Sequence, residues 1–81
     1  MTLALTRAEV AERVRAEGPV SLDQAAILIP ARNARGHTSP ATLLRWIING
    51  KSGVRLEGAR VKGKWHTSLA ALQRFRSRAG V

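Results

Sequence analysis

Four helix-start signals divide this chain into short helices, and that division constrains the fold more than any other feature of the sequence. Each signal is a serine or threonine whose side-chain oxygen can accept a hydrogen bond from a free amide of the first helical turn. The signals are Thr6, Ser21, Ser39 (followed by Pro40) and the pair Thr67-Ser68. Because the chain has only 81 residues, the four helices must share one modest core.

The ends and buried faces of these helices follow from the same kind of signal. The first helix ends near Ala16, the second before Pro30 and the third at Asn49-Gly50, because glycine and proline stop helices. Apolar residues at helical spacing predict the buried faces of the second and fourth helices. They are Leu22, Ala25, Ala26 and Ile29 in the second helix, and Leu69, Leu72 and Phe75 in the fourth, with Arg74, Arg76 and Arg78 on the exposed side.

The periodicity changes after Gly53 from a helical to a strand pattern. Four apolar residues alternate with mostly charged ones, as in half-buried strands, and these are Val54, Leu56, Ala59 and Val61. Lys62-Gly63 then supplies a two-residue hairpin turn. The predicted fold class is mainly α with a small β-hairpin, an α+β fold. Residues 1–19 are expected to form an accessory N-terminal helix and residues 20–81 the main domain.

The basic residues are concentrated in the later part of the chain. Eleven of the 14 lysines and arginines follow residue 31, where Glu57 is the only acidic residue, and the formal net charge of the chain is +9. This asymmetry is typical of a protein that binds a polyphosphate. The alternative is a domain that merely carries excess charge.

Several classes of protein are disfavoured by what the sequence lacks. The chain has no cysteine, which excludes disulfides and thiolate metal sites. Residues 1–5 are too short an apolar run for a secretory signal, and no run reaches the length of a membrane span. His37 and His66 lie in different elements without a carboxylate nearby, and paired carboxylates and a phosphate-binding loop are missing. We therefore expect a cytoplasmic, nucleoid-associated prokaryotic or phage protein with no catalytic residue, cofactor, metal or membrane contact.

The helix that begins at Ser39 has a polar face suited to reading DNA. Thr38, Thr42, Arg45 and Asn49 share this face. Arginine can bind guanine, asparagine can bind adenine, and threonine can contact a base edge or the thymine methyl group. We predict these four residues and Ser39 as the recognition-helix site, and the alternative is an ordinary solvated face.

The other sides of the same helix are apolar. Leu43, Trp46 and Ile47 are expected to pack on the core, whereas Leu44 and Ile48 form a third flank. This flank either packs on the N-terminal helix or marks a protein–protein contact. The second reading leaves open a protein-interaction module, such as an antirepressor, that docks an acidic partner.

Cationic residues of the hairpin and loops complete the predicted site. Arg60, Lys62 and Lys64 lie in the hairpin and can follow the phosphate backbone or enter the minor groove. Protection of an edge strand by positive charge is the alternative. The loops add Arg32, Arg35, His37 and Lys51.

The aromatic residues favour duplex DNA over other nucleic acids. Trp46 and Trp65 occupy positions predicted to point inward, and Phe75 is the only further aromatic residue. Proteins that bind RNA or single strands usually display several exposed aromatic rings for base stacking. Double-stranded DNA is therefore the expected partner, and RNA binding is a third alternative.

Four segments together resemble a known family. They are residues 21–26 (SLDQAA), 39–47 (SPATLLRWI), 59–65 (ARVKGKW) and 67–75 (TSLAALQRF). These segments resemble the excisionase-type branch of the MerR-like winged helix-turn-helix DNA-binding domains, which share an Ala-Ala pair, an Arg-Trp-Ile recognition helix and a similar wing. The chain departs from that pattern in a longer loop at 30–38, an extended stretch at 51–58 and the helix that precedes the domain.

The resemblance implies a function and a set of contacts. Excisionases of phages and mobile elements bend DNA, bind it cooperatively by self-association, and set the direction of recombination by an integrase or recombinase. Other members of the group are transcriptional regulators. By position, the DNA contacts of the family fall on Thr42 and Arg45 in the recognition helix and on Arg60, Lys62 and Lys64 in the wing.

Overall fold

A computed structural model describes residues 6–31 and 34–81. The described chain is a small α+β fold with four helices and one three-stranded antiparallel sheet, which confirms the predicted class. The helices are α1 (Arg7–Glu17), α2 (Leu22–Ile27), α3 (Pro40–Ile48) and α4 (Leu69–Ala79), and the strands are β1 (Pro19–Ser21), β2 (Ala59–Val61) and β3 (Lys64–Ser68).

All four helix starts lie where the cap residues predict them. Thr6 and Ser21 form complete capping boxes, and Ser39 and Ser68 each accept a hydrogen bond from a backbone amide of the first turn. At α4 the cap is Ser68 alone, because the Thr67 hydroxyl donates instead to the backbone carbonyl of Glu57 at 2.8 Å. These caps satisfy amides that have no partner within the helix.

The sheet contains a strand that the sequence pattern does not predict. The strand order is β1-β3-β2, and β3 pairs with both neighbours in antiparallel register. β1 has only three residues, of which Val20 is the one large apolar side chain. It is therefore too short to show the alternation of apolar and polar residues that predicts a strand. The domain boundary expected between residues 19 and 20 falls inside this strand.

The prediction that a strand includes Val54 and Leu56 is wrong. Lys51 and Val54 exchange two backbone hydrogen bonds, at 2.7 and 3.0 Å, around a tight turn. Ser52 and Gly53 have φ of 54° and 78°, the backbone geometry of a two-residue turn that reverses the chain. Leu56 is buried in the core without belonging to a strand, and the predicted strand begins only at Ala59.

The core has a larger and a smaller part. The larger part joins α2, α3, α4 and the segment after α3, and contains Ala25, Ala26, Ile29, Leu43, Trp46, Leu56, Leu72 and Phe75. Within it the rings of Trp46 and Phe75 lie 5.0 Å apart, in the range of a favourable aromatic pair. The smaller part joins Val14 of α1 to Ala59 and Ala71. Leu69 was expected to face inward but is 55% exposed, because α4 turns it away from both parts.

Four charged side chains hold α1 to the rest of the fold. Arg74 of α4 pairs with Glu17 at the end of α1 and with Glu57, and Arg13 of α1 lies against the same two carboxylates. Arg74 was expected on the exposed side of α4, but these contacts leave it half-buried. The first helix is therefore joined to the domain by both apolar and ionic contacts.

No helix in the described ranges is long and apolar enough to cross a membrane.

Candidate nucleic-acid interface

Helix α3 is fixed in place at its N-terminal end. The amide of Thr38 donates to the carbonyl of Ile29 at 2.9 Å, which ties the residue before the cap to the end of α2. Ser39 then caps α3, and Leu43 and Trp46 bury one face in the core. The opposite face is solvent-exposed, and its residues are Ala41, Arg45, Ile48 and Asn49.

Three of the predicted recognition-helix residues have other surroundings. Thr38 is only 6% exposed, so its side chain does not reach the surface. The hydroxyl groups of Ser39 and Thr42 lie 3.0 Å apart and take part in the cap of α3. The exposed polar stripe is therefore reduced to Arg45 and Asn49.

The segment after α3 is pressed against the helix. Gly50 has φ of 82°, and a Cβ atom at this position would lie 2.6 Å from the Val54 carbonyl oxygen. The amide of Leu56 donates to the carbonyl of Trp46 at 3.0 Å. Gly58 approaches Ile47 so closely that a Cβ would lie 2.9 Å from its Cδ1 atom. These contacts place exposed Lys51 and Arg55 beside the end of α3, and Arg55 was not among the predicted site residues although strand alternation put it on the outer side.

The β2–β3 hairpin presents its cations at a tight tip. Lys62 and Gly63 both have positive φ, 51° and 78°, as the predicted two-residue turn requires. Lys62 and Lys64 are exposed. Arg60 is paired across the strands with Trp65, and its guanidinium carbon lies 5.8 Å from the centre of that ring. Trp65 is thus half-buried under an arginine rather than in the core, which corrects its predicted position.

The loop between α2 and α3 is closed at its base. Pro30 and His37 pair as in a sheet, and the amide of Ala31 donates to the carbonyl of Gly36 at 3.3 Å. His37 is half-buried and donates from Nδ1 to the Thr38 carbonyl at 2.8 Å. Arg35 is exposed on this loop, whereas the predicted site residue Arg32 lies outside the described residues.

The basic residues of this surface take no part in the ion pairs of the described chain. In the described part of the chain, all four ion pairs involve Arg13 or Arg74 with Glu17 or Glu57. Within residues 6–31 and 34–81, the basic side chains of α3, of the turn after it and of the hairpin form no ion pair, and they are Arg45, Lys51, Arg55, Arg60, Lys62 and Lys64. Arg7, Arg15 and Arg78 form none either, but they lie outside this surface. The charge of this surface is therefore not compensated by carboxylates.

The histidines and acids of the described residues do not form a metal-binding cluster. No group of three or more His, Asp or Glu side chains within residues 6–31 and 34–81 is arranged to hold an ion. His66 donates from Nδ1 to the Lys64 carbonyl at 3.0 Å, an interaction local to the hairpin.

Comparison with known proteins assigns a family. Residues 26–80 match the model of the family described as protein of unknown function, DUF1580. This match covers most of the chain, including α3, the hairpin and α4, and the chain belongs to that family. Neither the search of curated proteins nor the search of solved structures gives a match.

Proposed function

We propose that this member of the DUF1580 family binds double-stranded DNA, with α3 in the major groove and the β2–β3 hairpin on the phosphate backbone. The observation that carries the proposal is the set of uncompensated cations on α3, the following turn and the hairpin. Arg45 and Asn49 supply groups that can read base edges, and Lys62 and Lys64 supply groups that can bind phosphates. Binding of this kind needs no catalytic group.

The order of the elements supports a winged helix-turn-helix arrangement. A helix and a short strand precede two further helices, and a hairpin follows them, with the first strand paired to the last. α3 has nine residues. An α-helix with its side chains is about 10–12 Å in diameter, which fits the major groove, about 12 Å wide. The hairpin would then act as the wing.

The sequence resemblance extends the proposal to a biological process. An excisionase would bind several adjacent sites and bend the DNA beside an integrase, in the cytoplasm of a bacterium. A transcriptional regulator would instead protect a single operator. Footprinting on attachment-site DNA and on the promoter of the gene itself separates the two, because cooperative protection that extends with protein concentration is expected only for the excisionase.

The direct test compares two arginines by fluorescence anisotropy on duplex DNA. Selected specific duplexes and random duplexes are titrated with the protein over a range of salt concentrations. Arg45→Ala should reduce the preference for specific sequence by about 1–3 kcal/mol, since a lost base contact costs that much. Arg78→Ala, which removes an exposed cation from α4, is the matched control and should leave the preference unchanged.

The salt dependence gives a second and independent criterion. Each neutralised phosphate contributes about −0.9 to the slope of log affinity against log salt concentration. A slope near zero, or no binding to any duplex, would contradict the proposal. If Arg45→Ala and Arg78→Ala lowered the affinity for every duplex equally, DNA binding would stand but α3 would not be the recognition helix.

A further inference from the structure

A groove of about 660 Å³ lies between α1, the C-terminal end of α3 and the hairpin. Its floor is apolar and includes Val10 of α1, Ile47 of α3 and Trp65 of β3. Ile48, which is 52% exposed, forms one edge. Two of the six cations on which the DNA-binding proposal rests, Arg55 and Arg60, also line this groove. The groove adjoins the exposed face of α3 at Ile48, and Arg45, Asn49, Lys62 and Lys64 do not line it.

The rim of the groove is cationic. Arg7 and Arg15 line it from α1, and Arg55 and Arg60 line it from the facing side. The one acidic residue in the lining is Glu57, whose carboxylate already binds Arg74 and Arg13. Four arginines thus surround an apolar floor without a free carboxylate among the lining residues.

The spacing of the arginines indicates an extended occupant. Arg7 and Arg15 are eight residues apart on one helix, which separates them by about 12 Å along its axis. A single phosphate or carboxylate cannot bind both, whereas acidic residues distributed along a helix can. A flat lipid surface would not reach a concave floor. A second copy of this chain would bring another net charge of +9 to the same rim.

We propose that this groove binds an acidic amphipathic helix of another protein. Apolar side chains at i, i+3, i+4 and i+7 of that helix would enter the floor, and its Asp or Glu residues would pair with the arginines of the rim. Charge complementarity of this kind speeds association and selects the partner. Peptide binding is measured without DNA, so that failure of either proposal leaves the other standing.

The test titrates the 81-residue chain with two synthetic helices. Both carry leucine at the four anchor positions, and they differ only in having glutamate or lysine on the flanks. The glutamate peptide should bind at least about tenfold more tightly, and amide and Trp65 indole resonances of the groove should shift on binding. Ile48→Asn should weaken this binding by about tenfold, whereas Leu69→Asn, a substitution of an equally exposed residue outside the groove, should have no effect.

Four results of the peptide experiments would overturn the proposal. They are the absence of binding by the glutamate peptide, equal binding of both peptides, equal effects of the two substitutions, and resonance shifts confined to residues outside the groove. Vesicles containing phosphatidylserine serve as a separate arm. Binding to these vesicles that is stronger than binding to the glutamate peptide would assign the groove to anionic lipid instead.

Discussion

Arg74 binds both carboxylate oxygens of Glu17 through its two terminal nitrogens, at 2.7 and 3.0 Å, across 57 positions of sequence. Ser68 donates to the same carboxylate at 2.7 Å. Because Glu17 is the last residue of α1, these bonds fix the end of that helix against the start and middle of α4. Hydrogen bonds between charged groups are stronger than neutral ones, and a two-point geometry also fixes orientation.

Replacement of Arg74 by alanine should destabilise the protein. The change leaves Glu17 and Glu57 without their main partner, and we expect a loss of about 1–3 kcal/mol in the free energy of unfolding. Urea denaturation followed by circular dichroism measures it. Arg78→Ala, on the same helix but exposed, should change stability by less than about 0.5 kcal/mol. Equal losses for both variants would show that the ionic contacts contribute nothing.

Stability should fall in acid because of Glu17. The hydrogen bonds from Arg74, aided by Ser68 and opposed by partial burial, lower the pKa of Glu17 from its ordinary value of 4.5 to about 2. The folded state therefore favours the ionised carboxylate, and this contribution is present above pH 4.5 and is lost as the pH falls towards 2. Carboxyl NMR titration measures the pKa directly. Glu17→Gln should flatten the pH dependence of stability between pH 5 and 2, and an unchanged profile would be inconsistent with this assignment.

Two glycines of the turn after α3 should respond differently to substitution by alanine. Both have positive φ, 82° at Gly50 and 78° at Gly53, and each alanine carries the backbone strain of that region, about 1–3 kcal/mol. Only at Gly50 does the new Cβ also collide with backbone, at 2.6 Å from the Val54 oxygen. Thermal and urea denaturation should therefore show that Gly50→Ala is clearly more destabilising than Gly53→Ala. The reverse order would mean that the segment after α3 is not held as described.

The hairpin tip allows a charge to be removed without disturbing the turn. Lys62 has φ of 51°, a conformation that asparagine adopts more readily than lysine. Lys62→Asn should leave the melting temperature unchanged or higher. If the hairpin contacts phosphates, the same variant should lower the affinity for specific and random duplexes equally. It should also reduce the slope of log affinity against log salt concentration by about 1. An unaltered slope would show that Lys62 does not contact phosphates and would exclude it from the proposed DNA interface.

The helix starts and the hairpin turn were predictable because their causes are local. Ser39 caps α3 through a residue three positions away, and Lys62-Gly63 forms its turn through its own backbone angles. The exposed Arg45 and Asn49 followed from helical periodicity for the same reason. Such features depend on neighbours in sequence, and the sequence contains those neighbours.

The remaining features depend on contacts between distant residues. The residues next to Pro19 in sequence do not indicate that it pairs with Ser68 in the sheet. Those next to Arg74 do not indicate that it forms an ion pair with Glu17 and becomes half-buried. Thr38 was expected at the surface because helical spacing aligns it with Arg45, but it precedes the helix and is held by Ile29. The groove likewise joins residues of α1, α3 and β3, and no single segment of sequence shows it.

Because of the hydrogen bond between Thr38 and Ile29, the position of α3 does not depend on the length or sequence of the loop before it. Since the two ends of that loop are already joined, inserted residues would lengthen an excursion whose closure entropy rises only slowly with length. Insertions at the tip should therefore be tolerated, and the register of α3 on the core should not change. We therefore expect a foreign peptide grafted into this loop to be displayed beside α3 without a change in the rest of the fold.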